Sequence, residues 1–335
     1  MVILYHFGLN HFLRPFHFLI NGELGVNIFF VISGFLITTL LLKEKLAYGK
    51  VSLKRFYIRR ALRIIPAAYL FLLFLIILDH LYKIRLPVSA FTSSFLFYKN
   101  FPYQFEPYSG HFWTLAAEMQ FYFIFPLLLV WNTNRYMIIV LSIVIIVPVI
   151  SILGFYHAGF LYSNESIHLV TQIIMYSFWN GPFIILIGSL VSILLFKGVI
   201  NIGRNKGNYF LSFLLLLICI TISNKLAVFY SKYLSEYISA ILIAWIILLN
   251  LKKRGLLSAI LTNPVFIKVG IISYSLYVWQ ELFIGNRSFP PWMRPFHDCP
   301  LGLFIVLKLV VVFFIAFASY YFFETKFLKI KSRYL

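Results

Sequence analysis

Three sets of side chains stand out here because their types and spacing suit chemistry within an otherwise apolar sequence. His6 lies in the apolar run MVILYHFG from Met1 to Gly8. An imidazole, with a pKa of about 6.5, is suited to take a proton from an alcohol, and ionisable groups in membrane segments tend to be functional because they are costly. Taken alone, His6 reads first as an interfacial histidine with a local hydrogen-bond partner. Arg59, Arg60 and Arg63 are spaced i,i+3 and i,i+4, so on a helix all three project toward one ligand, and guanidinium forks match phosphate. The same arginines fit the plainer role of positive residues closing a membrane span. Glu118 follows Trp113 by five residues in HFWTLAAEMQFYFIFPLLL. A carboxylate there suits orienting a histidine, binding a hydroxyl or pairing with an arginine, or simply sits near a helix N-terminus, where the dipole favours it. His111, at the end of the preceding loop, is a further candidate for facing an acceptor. Ser33 and Gly34 interrupt an apolar stretch and read first as close-packing residues; no GxSxG elbow surrounds Ser33, which argues against a serine hydrolase.

Membrane-length helices must position these groups. Apolar stretches near the roughly 20 residues needed to span a bilayer occur at 25–42, 64–82, 113–131, 136–155, 176–196, 208–224, 234–251, 265–285 and 301–323. With the short first segment they predict an all-α polytopic bundle of about ten transmembrane helices. The first helix reads as truncated, and residues 1–335 read as one integral-membrane domain with no fused soluble domain. The segment 83–112, with Pro87, Pro102, Pro107 and Gly110, is expected to lie on the surface or re-enter.

Charge sets the orientation. The stretch 43–63 holds Lys43, Lys45, Lys50, Lys54, Arg55, Arg59, Arg60 and Arg63 against Glu44. Placing it inside puts 20 basic residues on the cytoplasmic face and 8 outside, with both termini cytoplasmic in the inner (plasma) membrane. A net charge of +19 would suggest a nucleic-acid partner in a soluble chain, but 61% hydrophobic and 12% charged residues exclude one, as does a mean hydropathy of +0.90. Membrane lipids are the expected surroundings, and no nucleic acid is expected. Cys219 and Cys299 have no ligand or redox spacing, and nothing resembles HExxH, a P-loop or a dinucleotide fingerprint, so no metal is expected. From the residues alone, a carrier or flippase for a lipid-linked glycan stays open as the alternative to an enzyme.

The sequence order carries a resemblance. YHF near the start, GVNIFFVISGFLI, RFYIRRALRIIP, FWTLAAEMQFYFIFPLLL and GIISYSLYVWQELF together resemble the acyltransferase-3 family of integral-membrane O-acyltransferases, which modify O-antigens and exopolysaccharides, over essentially the whole chain. The resemblance implies an acyl-CoA donor, acetyl-CoA first, bound from the cytoplasm, and a glycan or glycolipid hydroxyl as acceptor. It implies that His6 and Glu118 are catalytic and that Arg60 and Arg63, with Arg59, hold the CoA phosphates. Ser33, Gly34, Trp113, Ser273 and Tyr274 match its other motif positions. Gln280 stands where many relatives have a histidine, and Met119 where a second glutamate is frequent.

Overall fold

The computed structural model describes residues 1–9, 21–100, 106–155, 159, 164–173, 182–200, 210–224, 232–251, 255–284, 290–296 and 298–334. Their helices are α1 (Val2–His6), α2 (Gly22–Tyr48), α3 (Leu53–Tyr82), α4 (Val88–Phe95), α5 (Phe112–Trp131), α6 (Thr133–Phe155), α7 (Glu165–Ile173) and α8 (Pro182–Phe196). There follow α9 (Leu211–Ser223), α10 (Lys232–Asn250), α11 (Leu256–Leu261), α12 (Pro264–Ile271), α13 (Ser273–Trp279), α14 (Leu301–Ala318) and α15 (Thr325–Lys331). The beginning of the expected span 176–196, and Pro102 of the loop 83–112, lie outside the described residues.

Local chemistry sets the ends of the two helices that matter most. Asn21 caps α2 by accepting from the Leu24 N–H at 3.1 Å, and Gly49 closes it in the left-handed region at φ 69°, where a missing Cβ avoids a steric penalty. Ser52 then accepts from the Arg55 N–H at 3.4 Å and starts α3 at Leu53, so only residues 49–52 separate the two helices. The expected start of the second span at 64 is thereby corrected, because the Ser52 cap extends the helix backward through the basic stretch. Arg59, Arg60 and Arg63 consequently ride on one continuous helix, as their spacing required.

Among the described residues, five helical runs are long and apolar enough to cross a membrane: α2, α3, α5, residues 133–150 of α6 and the run 301–334. Three shorter apolar helices, over 183–196, 211–223 and 234–250, join them, against the roughly ten spans expected. The stretch expected to span at 265–285 is instead broken into α12, α13 and a 3₁₀ turn, Gln280–Phe283. At the first break Ser273 donates its hydroxyl to the Gly270 carbonyl at 2.8 Å, a local bond that competes with a continuous ladder. The protein is an all-helical, multi-pass membrane protein.

Lipid tails are as apolar as leucine, so helices in a bilayer associate through close packing and interhelical hydrogen bonds. The pairing of α2 with α8 follows this rule. A Cβ on Gly34 would overlap the Ile185 carbonyl, and one on Gly188 would overlap the Val31 carbonyl. Thr38 bonds Ser189 at 2.7 Å, Thr39 bonds Ser192 at 2.8 Å, and Tyr136 of α6 reaches Ser189 at 2.6 Å. Trp113 packs edge-on against Phe30 of α2, with ring centroids 5.8 Å apart. The polar residues that break up these apolar helices thus become the seam that aligns them.

Candidate active site

Helix α2 serves as a ruler for the site. At its beginning, Gly22 lies against Tyr5 and Gly25 against Val2, which fixes α1 and its His6 at that end. At its far end Glu44 pairs with Arg59 at 3.0 Å. With a 1.5 Å rise per residue α2 sets the Gly22 and Glu44 levels roughly 30 Å apart, about the thickness of a bilayer's hydrocarbon core, with Ser33 halfway between them.

At the arginine end the three guanidinium groups divide their work. Arg59 is held by Glu44 and by the Tyr334 carbonyl, to which its Nη1 donates at 2.8 Å. Arg60 lies over the rings of Phe56 and Tyr122, at 5.7 and 5.5 Å from their centroids, and its buried Nε has no hydrogen-bond partner. Arg63 is exposed. Arg60 and Arg63 are therefore the members free to meet an anion, and cation–π contact keeps Arg60 in place without neutralising it. Tyr274 braces this turn of α3 by donating to the Ile64 carbonyl at 2.7 Å, while its neighbour Ser273 stays with Gly270.

Midway along α2, Ser33 donates to the Glu118 carboxylate at 2.6 Å and contacts the Tyr122 hydroxyl at 2.7 Å. Tyr122 donates to the same carboxylate oxygen. Glu118 also feels the charges of Arg60 and Arg63. The partners of Glu118 are thus Ser33, Tyr122 and the arginines, whereas those of His6 are Gln280 and His111.

The histidine end is more crowded. The His6 imidazole and the Gln280 amide approach each other, yet His6 Nδ1 and both Gln280 amide atoms are buried without a well-formed hydrogen bond. His111 is fully enclosed, and burial first, then the His6 and Lys99 charges, push its pKa down to about 3, so its ring is neutral at ordinary pH. Its Nδ1 lies 3.5 Å from Glu281 Oε2. The Glu281 carboxylate faces the backbone N–H groups of His111 and Gly110, and Tyr277 bonds Thr114 at 2.6 Å and the His111 carbonyl at 3.3 Å. These contacts fasten the 280–283 turn to the start of α5. Behind them, buried Lys99 pairs with Glu106 and donates to Ser109 at 2.9 Å, while Ser89 donates to Glu106 at 2.8 Å.

One helix joins the levels. His111 caps α5, and Thr114, Glu118 and Tyr122 follow at i+3, i+7 and i+11, a spacing that aligns them on one face. That polar stripe runs roughly 16 Å down the helix, from the imidazole level to Tyr122 beside the middle of α2, where the Arg60 guanidinium lies over the Tyr122 ring. The structure thus gathers His6 with His111 and Gln280, gathers Arg60, Arg63 and Glu118, and connects the two through α5. Sequence reasoning missed Lys99, Glu281 and the role of Tyr122, and it noted Gln280 only as a departure from a histidine. A signal for Glu281 was present, since it is one of ten acidic residues and stands in an apolar stretch. An open cavity of about 390 Å³ between Leu42, Lys45, Thr133 and Phe196 lies apart from all of these groups.

Comparison with known proteins gives this geometry its setting. The chain is 30% identical over 357 aligned positions to a Staphylococcus aureus (strain COL) protein named "Putative O-acetyltransferase", with 98% of this chain and 55% of the relative covered. A Staphylococcus aureus (strain NCTC 8325 / PS 47) protein named O-acetyltransferase OatA is 34% identical over 149 positions, covering 40% of this chain and 23% of its own length. The chain spans about half the length of the first of these relatives. No solved structure matches it. The family described as "Acyltransferase domain" matches residues 1–323. From polar helix seams to buried histidines and an arginine-bearing third helix, the chain belongs to the acyltransferase-3 family.

Proposed function

We propose that this protein is a membrane O-acyltransferase that moves an acyl group, acetyl first, from acetyl-CoA to a hydroxyl of a cell-surface glycan or glycolipid. The observation that carries this reading is the polar face of α5, which links a cationic end with a free guanidinium edge to an end bearing unpartnered buried imidazole and amide groups. Arg60 and Arg63 bind the CoA phosphates at the cytoplasmic face, with Arg59 holding the turn through Glu44, and the pantetheine arm follows the α5 stripe. His6 takes the proton of the acceptor hydroxyl as its oxygen attacks the thioester carbonyl. The C–S bond breaks, and the imidazolium returns the proton to the departing thiolate. Glu118, hydrogen-bonded to Ser33 and Tyr122, is the carboxyl group held along the route. Both termini face the cytoplasm, and no metal takes part.

Purified protein with acetyl-labelled acetyl-CoA and a short glycan or lipid-linked glycan tests the reading. Free CoA thiol appearing in step with a labelled ester on the acceptor supports it. Glycan crossing a vesicle membrane without thiol release assigns the protein to the carriers instead.

A further inference from the structure

The last helix makes a contact that the arginines alone do not explain. Helix α15 and the 3₁₀ turn Ser332–Tyr334 pack along α3, and Arg59 Nη1 donates to the Tyr334 carbonyl at 2.8 Å. In this docking Lys331 is half-buried and feels the charges of Arg63, Arg60 and Arg59, while Lys326, Lys329 and Arg333 stay exposed. An ammonium group within electrostatic range of three guanidinium groups repels them unless an anion lies among them. Among the described residues the only ion pair in this group joins Arg59 to Glu44, and Glu118 is already engaged by Ser33 and Tyr122. Arg60 Nε, buried and unpartnered, is a second sign that a ligand atom belongs here. Lys331 lies beyond residues 1–323, the part that matches the family.

We propose that Lys331 is a fourth cation of a phosphate-binding site, and that the docked segment 325–334 completes this site by packing over the arginine turn of α3. The ligand class is a phosphate ester carrying more than one negative charge. Two sources share that chemistry, the nucleotide phosphates of CoA and the headgroup of an anionic lipid. The nucleotide source rests on the donor reading above; the lipid source does not.

The test compares Lys331→Gln with Lys329→Gln, an exposed lysine of the same helix, in purified full-length protein. Calorimetry with CoA, dephospho-CoA and pantetheine forms one arm. Retention of phosphatidylglycerol against phosphatidylcholine in nanodiscs forms the other. A nucleotide site predicts that Lys331→Gln weakens CoA binding about 10- to 100-fold, as removal of one hydrogen bond to a charged group should, with pantetheine binding and the Lys329→Gln variant unchanged. A headgroup site predicts loss of the phosphatidylglycerol preference alone. Unaltered CoA affinity together with an unaltered lipid preference overturns the proposal. Absence of CoA binding in the unsubstituted protein defeats the donor reading instead, and leaves the lipid arm to decide the role of Lys331.

Discussion

The two ends of α2 hold their polar residues in opposite ways. At the arginine end the cations outnumber the acids and are half-buried or exposed, and they meet aromatic faces and the carboxylates of Glu44 and, farther in, Glu118. At the histidine end the groups are enclosed, of both signs and mutually braced: Lys99 with Glu106 and Ser109, Glu281 with the 110–111 backbone, and a neutral His111. A cluster of like charges open to water suits capture of an anion from solution. A closed set of mixed groups suits fixed orientation of neutral atoms, which is what a general base requires. On the proposed function, this difference separates donor binding from chemistry along one molecule.

Substitutions can break that separation. The largest effect is expected for His6→Ala, which should lower acyl transfer by about 100- to 10,000-fold, the usual worth of general-base help, while calorimetric CoA affinity stays the same. Equal loss of CoA affinity would merge the two ends into one site. Next comes Glu106→Gln, which leaves Lys99 buried without its counter-ion; melts in detergent should show a loss of about 3–5 kcal/mol, the cost of breaking a buried pair. Arg60→Met keeps the bulk and removes the charge. It should raise the donor KM by about 10- to 100-fold, the range for charged hydrogen bonds, with kcat at saturating donor nearly unchanged. A fall in kcat alone would move Arg60 to the chemical end.

Two smaller effects sharpen the contrast. Gly34→Ala pushes a methyl group into the Ile185 carbonyl and should cost about 1–3 kcal/mol of thermal stability, as overpacking does, without altering the ratio of transfer to donor binding. The smallest concerns pH. The His111 pKa is depressed to about 3 in the fold, so between there and about 6.5 the unfolded chain binds the extra proton and stability falls as pH drops, by at most about 1.4 kcal/mol per unit. His111→Gln should flatten that slope in melting curves between pH 6.5 and 5. An unchanged slope would show that His111 is not the group responsible.

Much of the bundle was legible in the chain because hydrocarbon thickness translates directly into the length of apolar runs. The spans at 113–131 and 136–155 match α5 and α6 to within a few residues. The arginine helix was legible in its spacing but not in its start, since one serine cap converted most of a presumed loop into helix. The break at 265–285 was hidden, because apolarity measures burial and not the local bond that Ser273 makes. Glu118 was visible as a carboxylate in an apolar stretch, but its partners Ser33 and Arg60 come from two other helices. Gln280 was visible as an amide in place of a histidine, but only the fold places it beside His6.

The sequence by itself determined the class of solvent, the helical architecture and the side chains able to do chemistry, because each depends on residues near one another along the chain. Tertiary structure decided which of those side chains share a site. That assignment turned on contacts such as Thr38 with Ser189 and Arg59 with Tyr334, which join positions 151 and 275 residues apart. In a bilayer such contacts form where small residues let backbones close up and where a buried polar group must find its partner.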